Sequence, residues 1–133
     1  MFADVEAVVV RYLSALDIGR VTTRTPANLA DVLPLVMVNR VPGGGGDDGI
    51  TDVAQLDVDT FTARDPSAPG RGAAHDLAEQ VRAAMLALRH KAVGGVLVDT
   101  VETLTAPCWV DYADDRLNRF VATYELSLRA PLF

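Results

Sequence analysis

Residues Ala73 to Leu88, AAHDLAEQVRAAMLAL, constrain the fold of this chain more than any other stretch. Ala74, Leu77, Ala78, Val81, Met85 and Leu88 recur at the i, i+3, i+4, i+7 spacing that gathers side chains on one side of a 3.6-residue helix. His75, Asp76, Glu79, Gln80, Arg82 and Arg89 fall mostly on the other side. The residue types are good helix formers, with acids early and Arg89, His90 and Lys91 late, as the helix dipole favours. Burying Leu77, Val81, Met85 and Leu88 is worth roughly 6–12 kcal/mol gross, before conformational entropy is subtracted. Such a helix needs an apolar partner surface, and the flanking sequence supplies strands.

Residues 4–17 read as a first helix, with Val5, Val8, Val9, Tyr12, Leu13 and Leu16 in one stripe, Asp4 as N-cap and Gly19 as a stop. Arg20 to Arg24 reads as a short extended segment, and Pro26 to Asp31 as a loop. Leu35 to Val41 is apolar on both alternating sets, as in a strand shielded on two faces, and Pro42 is expected to end it. Gly43 to Gly49 has almost nothing to bury and loses the most backbone entropy on ordering, so it reads as a mobile loop. Asp52 to Thr62 alternates, with Ala54, Leu56, Val58 and Thr60 on one face and Val53, Gln55, Asp57, Asp59 and Phe61 on the other. These two strands form an antiparallel hairpin with a long tip.

The Pro/Gly segment from Arg64 to Gly72 leads into the central helix, and Gly94 and Gly95 break the pattern after it. Val96 to Leu104 is rich in strand formers. Beyond Ala106 and Pro107, Trp109 to Arg116 carries aromatics and three aspartates. Arg119 to Arg129 alternates cleanly, with Phe120, Ala122, Tyr124, Leu126 and Leu128 inward, and closes a second hairpin. The order helix, hairpin, helix, hairpin predicts an α+β fold: a mainly antiparallel sheet of two hairpins covered on one face by two helices. Residues 1–133 are expected to form a single domain, since each apolar face needs the next for cover and the length suits one core.

Half of the residues are hydrophobic, yet no run approaches the ~20 apolar residues that cross a bilayer. No signal-peptide pattern opens the sequence, so a soluble, cytoplasmic protein without membrane partners is expected. The formal net charge of −6 and the single lysine exclude a sequence-independent grip on nucleic acid, which needs clustered cations to displace counterions. An acidic surface does suit a machine past which nucleic acid must slide. Cys108, the one cysteine, cannot form an internal disulfide and is expected to be a small buried hydrophobe.

Motifs for catalysis or cofactors are missing. Gly43 to Gly46 lacks the GK[ST] and following helix of a phosphate loop, and Asp47, Asp48, Thr51 and Asp52 lack the ladder of a calcium loop. His75 and His90 lie about four turns apart and cannot converge on one metal. Neither a GxSxG elbow, an HExxH pair nor a CxxC is present, and no two of the four glutamates form an acid/base pair. Asp57 and Asp59 read as a solvated or oligomer-facing strand face, and Trp109 with Tyr112 as a packed aromatic corner. No enzyme, cofactor or metal is expected. Mobile loops, a helix-covered sheet and an acidic surface are the features of an assembly component.

Taken in order, DVEAVVVRYL, TRTPANLADVLPLVMVNRV, the Gly/Asp loop, ITDVAQLDVDTFTA, AAHDLAEQVRAAMLAL, VGGVLVDTVETLTAPCWVDY and RFVATYELSLRA give a chain that resembles the tail terminator proteins of long-tailed phages of actinobacteria. The resemblance spans nearly the full length, through phrases of ordinary strand and helix residues. It implies a virion protein of the tail's head-proximal end, assembled in the host cytoplasm as a hexameric ring. Such a ring caps the tail tube, stops its polymerisation and offers a head-joining surface, without catalysis. The implied partners are further copies of the chain, the tail tube protein and a head-completion or connector protein, with DNA passing through unbound. A head-closure or head-tail connector role, or a small ligand-binding or enzymatic domain, is the alternative. The family has no residue motif for its binding faces, so exposure alone nominates Asp47, Asp48, Asp57 and Asp59 as lumen-facing or loop charges, and Glu79 and Arg82 as oligomer contacts.

Overall fold

The backbone N–H groups of Glu6 and Ala7 donate to the Asp4 carboxylate at 3.0 and 3.4 Å, and this cap starts α1 (Val5–Ser14) as expected. The computed structural model describes residues 1–131. The helix stops at Ser14, three residues before the expected end, and Asp17 takes a positive φ of 55°. Leu16 therefore leaves the apolar stripe and stands exposed, while Val5, Val8, Val9 and Leu13 are buried. Tyr12 is half-buried, and its hydroxyl donates to the Ala84 carbonyl (2.8 Å), tying the two helices together.

The remaining elements are β1 (Arg20–Thr22), a 3₁₀ turn (Leu29–Asp31) inside the expected loop, β2 (Leu35–Gly45), β3 (Thr51–Ala63), α2 (Gly72–Ala87), β4 (Ala92–Val93), β5 (Val96–Trp109) and β6 (Leu117–Arg129). They form one sheet in the order β1-β2-β3-β6-β5-β4, antiparallel except for the β1–β2 pair. The expected α+β arrangement of two hairpins and two helices is thus the one observed. In the centre, β3 pairs with β6 over its whole length, from Thr51 opposite Arg129 to Ala63 opposite Leu117.

Both outer hairpin strands run further than proline suggested. Pro42 does not end β2, because a register shift between Val41 and Gly44 absorbs it and pairing resumes at Gly44 and Gly45. Part of the expected mobile loop is therefore strand. Only glycine serves at Gly44: its φ is +74°, and a Cβ there would collide with the Val53 carbonyl. In β5, Pro107 lies in another shift, between Thr105 and Cys108, and the strand continues to Trp109.

One face of the sheet carries the main core. Val36, Val38, Leu56, Val58, Val98, Val101, Tyr124 and Leu126 pack there with Val5, Val9 and Leu13 of α1 and Val81, Met85 and Leu88 from the α2 side. Leu77 is only half-buried; Ala74 and Ala78 instead meet Phe120. Arg89, His90 and Lys91 lie just beyond the end of α2 rather than in its last turn. At one end of the opposite face, Leu29 of the 3₁₀ turn covers Leu35, Phe61 and Leu117 in a second small cluster. Among the described residues, no helix covers the rest of that face.

Tyr124 is completely buried under α2, and its hydroxyl has no protein hydrogen-bond partner among the described residues. Burial pushes the phenol up to about 12. An orphaned buried hydroxyl costs about 1–3 kcal/mol of desolvation, which the ring's packing must offset. Tyr124→Phe is therefore expected to raise unfolding stability by about 1 kcal/mol, read as a higher urea midpoint at unchanged m-value.

Candidate functional site

The sheet face away from the helices is built by strand alternation: Met37 and Asn39 of β2, Gln55, Asp57 and Asp59 of β3, and Arg119, Val121, Thr123 and Glu125 of β6. At one end, Arg119 donates from Nε (3.0 Å) and Nη2 (2.8 Å) to Asp59 Oδ2. Asp59 is 3% exposed. Burial pushes its carboxyl above the usual carboxylate range, and the bonds to Arg119 pull the other way. The Thr123 hydroxyl donates to Asp57 (2.8 Å), and the Gln55 amide reaches Glu125 at 3.4 Å.

Along this face the register sets Glu125 directly opposite Glu102 of β5. Like charges in directly opposed positions destabilise a sheet, so this pair favours contact with counterions or a cationic partner over burial. Glu125 was legible as outward from alternation. Its neighbour Glu102 was not, because the shifts between Val98 and Thr100 and between Thr103 and Thr105 set that register.

The nominated residues divide between three places. Asp57 and Asp59 are together on the uncovered face, but Asp59 is buried and its charge is matched by Arg119. Asp47 and Asp48 lie at the β2–β3 tip. There Asp48 accepts from the N–H groups of Ile50 (2.8 Å) and Thr51 (2.9 Å), bonds that lower its carboxyl below the ordinary value, so it shapes the turn as well as charging it. Glu79 and Arg82 lie on α2, paired with one another at 3.5 Å and each about one-third exposed.

The same end of the sheet as the Asp59–Arg119 pair holds an open cleft of about 800 Å³ between the 64–72 and 109–116 segments. Arg64, Arg71, His75, Trp109, Tyr112 and Asp115 are among its lining residues. The Arg71 guanidinium sits 3.7 Å from the Trp109 ring centroid, and Tyr112 meets Phe61 edge-on at 5.3 Å. The expected aromatic corner is thus half realised: Tyr112 packs inward, while Trp109, Val110 and nearby Leu104 remain exposed. Cys108 is exposed too, which corrects the expectation of a buried thiol. It lies past the third β5 shift on the helix-free face, opposite Val121 and away from the helix-covered core. Among the described residues no three His, Cys, Asp or Glu side chains gather as a metal site, and no helix is long and apolar enough to span a membrane.

No family model matches this chain, and no curated protein matches it. In three dimensions it is similar to a chain from the virion of a native gene transfer agent particle, with a TM-score of 0.69 over 94% of both chains at 14% identity. The likeness is one of fold.

Beside the cleft, Arg116 donates to Asp114 from Nη2 (2.6 Å), Nε (2.9 Å) and the backbone N–H (3.0 Å), and holds that carboxyl down to about 2. A depressed carboxyl contributes stability above its unfolded value and loses it as pH falls through the folded one. In an NMR titration Asp114 is expected to show a midpoint of about 2, moving toward 3.8 in Arg116→Ala.

Proposed function

We propose that this chain is a virion structural protein without catalytic activity, and within that class a tail terminator. The observation that carries the reading is the fold shared over 94% of both chains with a chain of a gene transfer agent virion. The ordered likeness of the sequence to tail terminators supports the finer role. All 133 residues act as one domain, several copies of which close into a ring at the head-proximal end of the tail tube.

A protein that stops a polymer must present the tube with a matching face and present a non-matching face beyond it. A closed ring of head-to-tail contacts does this and leaves a channel. Turned toward the channel, the helix-free face would bring Asp57, Glu102 and Glu125 to the lumen, joined by Asp47 and Asp48 at the hairpin tips. With Asp59 matched by Arg119, the uncompensated acids supply the lumen charge. Six copies carry a formal charge of about −36, which repels DNA phosphates and lets a genome pass without sticking. Glu79 and Arg82 serve as contacts between neighbouring copies. The outer partners are the tail tube protein on one side and a head-completion or connector protein on the other.

Mixed with assembling tail tubes, the purified protein is expected to bind one tube end and shorten the tubes, seen by cryo-imaging. The exchanged-charge variant Glu79→Arg/Arg82→Glu should remain folded by circular dichroism and lose ring formation in light scattering. Tubes that grow uncapped beside a folded, monomeric wild type would overturn the reading. Binding to the portal side alone would make the protein a head-closure component instead.

A further inference from the structure

A sheet of this kind is open at both lateral edges. The outermost strands are stubs: β1 pairs only with Leu35 to Met37 of β2, and β4 only with Val96 and Leu97 of β5. Among the described residues, no strand lies on the outer side of β2 from Val38 to Gly45, away from β3, or on the outer side of β5 from Asp99 to Trp109, away from β6. Strand direction alternates from β2 through β3 and β6 to β5, so β5 of one copy and β2 of another could continue the antiparallel pattern. Edges of such length are templates for strand addition. The natural occupant is a second copy of this chain, because it brings both edges.

Both edges carry the same two obstacles. On β2, the outward N–H of Arg40 donates to Glu6 Oε2 of α1 at 2.8 Å. Two residues on, where alternation puts the next outward amide, stands Pro42, which has none and lies inside the register shift between Val41 and Gly44. On β5, the Val101 carbonyl accepts from Arg89 Nε, just past α2, at 2.9 Å. Further along, Pro107 lies in the shift between Thr105 and Cys108. Each edge thus has one backbone group held by a charged side chain from the helix layer and one proline set in an irregularity.

We propose that Glu6 and Arg89 are edge caps which, with Pro42 and Pro107, hold the sheet of the free chain closed to strand pairing with a second copy. The prolines block permanently. The two side chains block reversibly, since neither is buried and each can swing away from its backbone partner. Edge-to-edge association therefore has to displace them first. This holds for the free chain whether or not it terminates tails.

Two variants test it in solution: Glu6→Ala/Arg89→Ala, and the same pair with Pro42→Thr/Pro107→Thr. Sedimentation velocity across a concentration series reads association, and the infrared amide band reads intermolecular antiparallel pairing. The cap variant is expected to associate at concentrations about tenfold below the wild type, with the intermolecular band present and faster hydrogen exchange at the Arg40 amide in the remaining monomer. The four-site variant is expected to go further, to open-ended chains. A cap variant with wild-type circular dichroism and a mass distribution superimposable on the wild type overturns the proposal. That variant decides alone if the proline changes prevent folding.

Discussion

Everything in this molecule depends on the register between β3 and β6. The two strands pair without a break over the thirteen residues of β3, and the pairing sends Ala54, Leu56, Val58, Ala122, Tyr124 and Leu126 to the helix side. A slip of one residue would exchange that set for Gln55, Asp57, Thr123 and Glu125, and the core would become the acidic face. The hydrophobic effect resists the slip from one side. From the other, Asp59–Arg119 and Asp57–Thr123 add hydrogen bonds that only the native register permits. The outer strands tolerate their bulges because this central pair does not move.

The two faces that follow have different chemistry. Helices α1 and α2 seal one and are locked together by Tyr12 and Ala84. The other leaves Asp57, Arg119 and Glu125 half-exposed and buries Asp59 against Arg119, beside the small cluster under Leu29. A charged, helix-free sheet face is costly to bury against an apolar partner and cheap to leave against water and counterions. The proposed channel-facing role draws on that asymmetry.

Most of the architecture was legible because alternation and helical periodicity report burial directly. Arg119 to Arg129 is read correctly position by position, and Asp4 caps its helix as its residue type suggests. Pro42, Pro107 and the glycine run read as breaks from local sequence, yet β2 and β5 are outer strands of the four-stranded centre, where a missing N–H or a bulge costs little. Local pattern points Leu16 and Cys108 inward, yet both are exposed in the folded chain. The site was legible only in part. Asp57 and Asp59 share a face by alternation, but Arg119 neutralises one of them from sixty residues away.

By itself the sequence determined the element types, the apolar faces and the acidic character, since these follow from spacing and composition along a few consecutive residues. Tertiary structure decided which acids keep an unmatched charge, that Glu102 meets Glu125, that a cleft opens between the 64–72 and 109–116 segments, and that Glu6 and Arg89 reach the edges of the sheet. Each of these joins residues far apart in the chain through a register or a crossing. Local periodicity carries no information about either, because it is set by neighbours in sequence and they are set by neighbours in space.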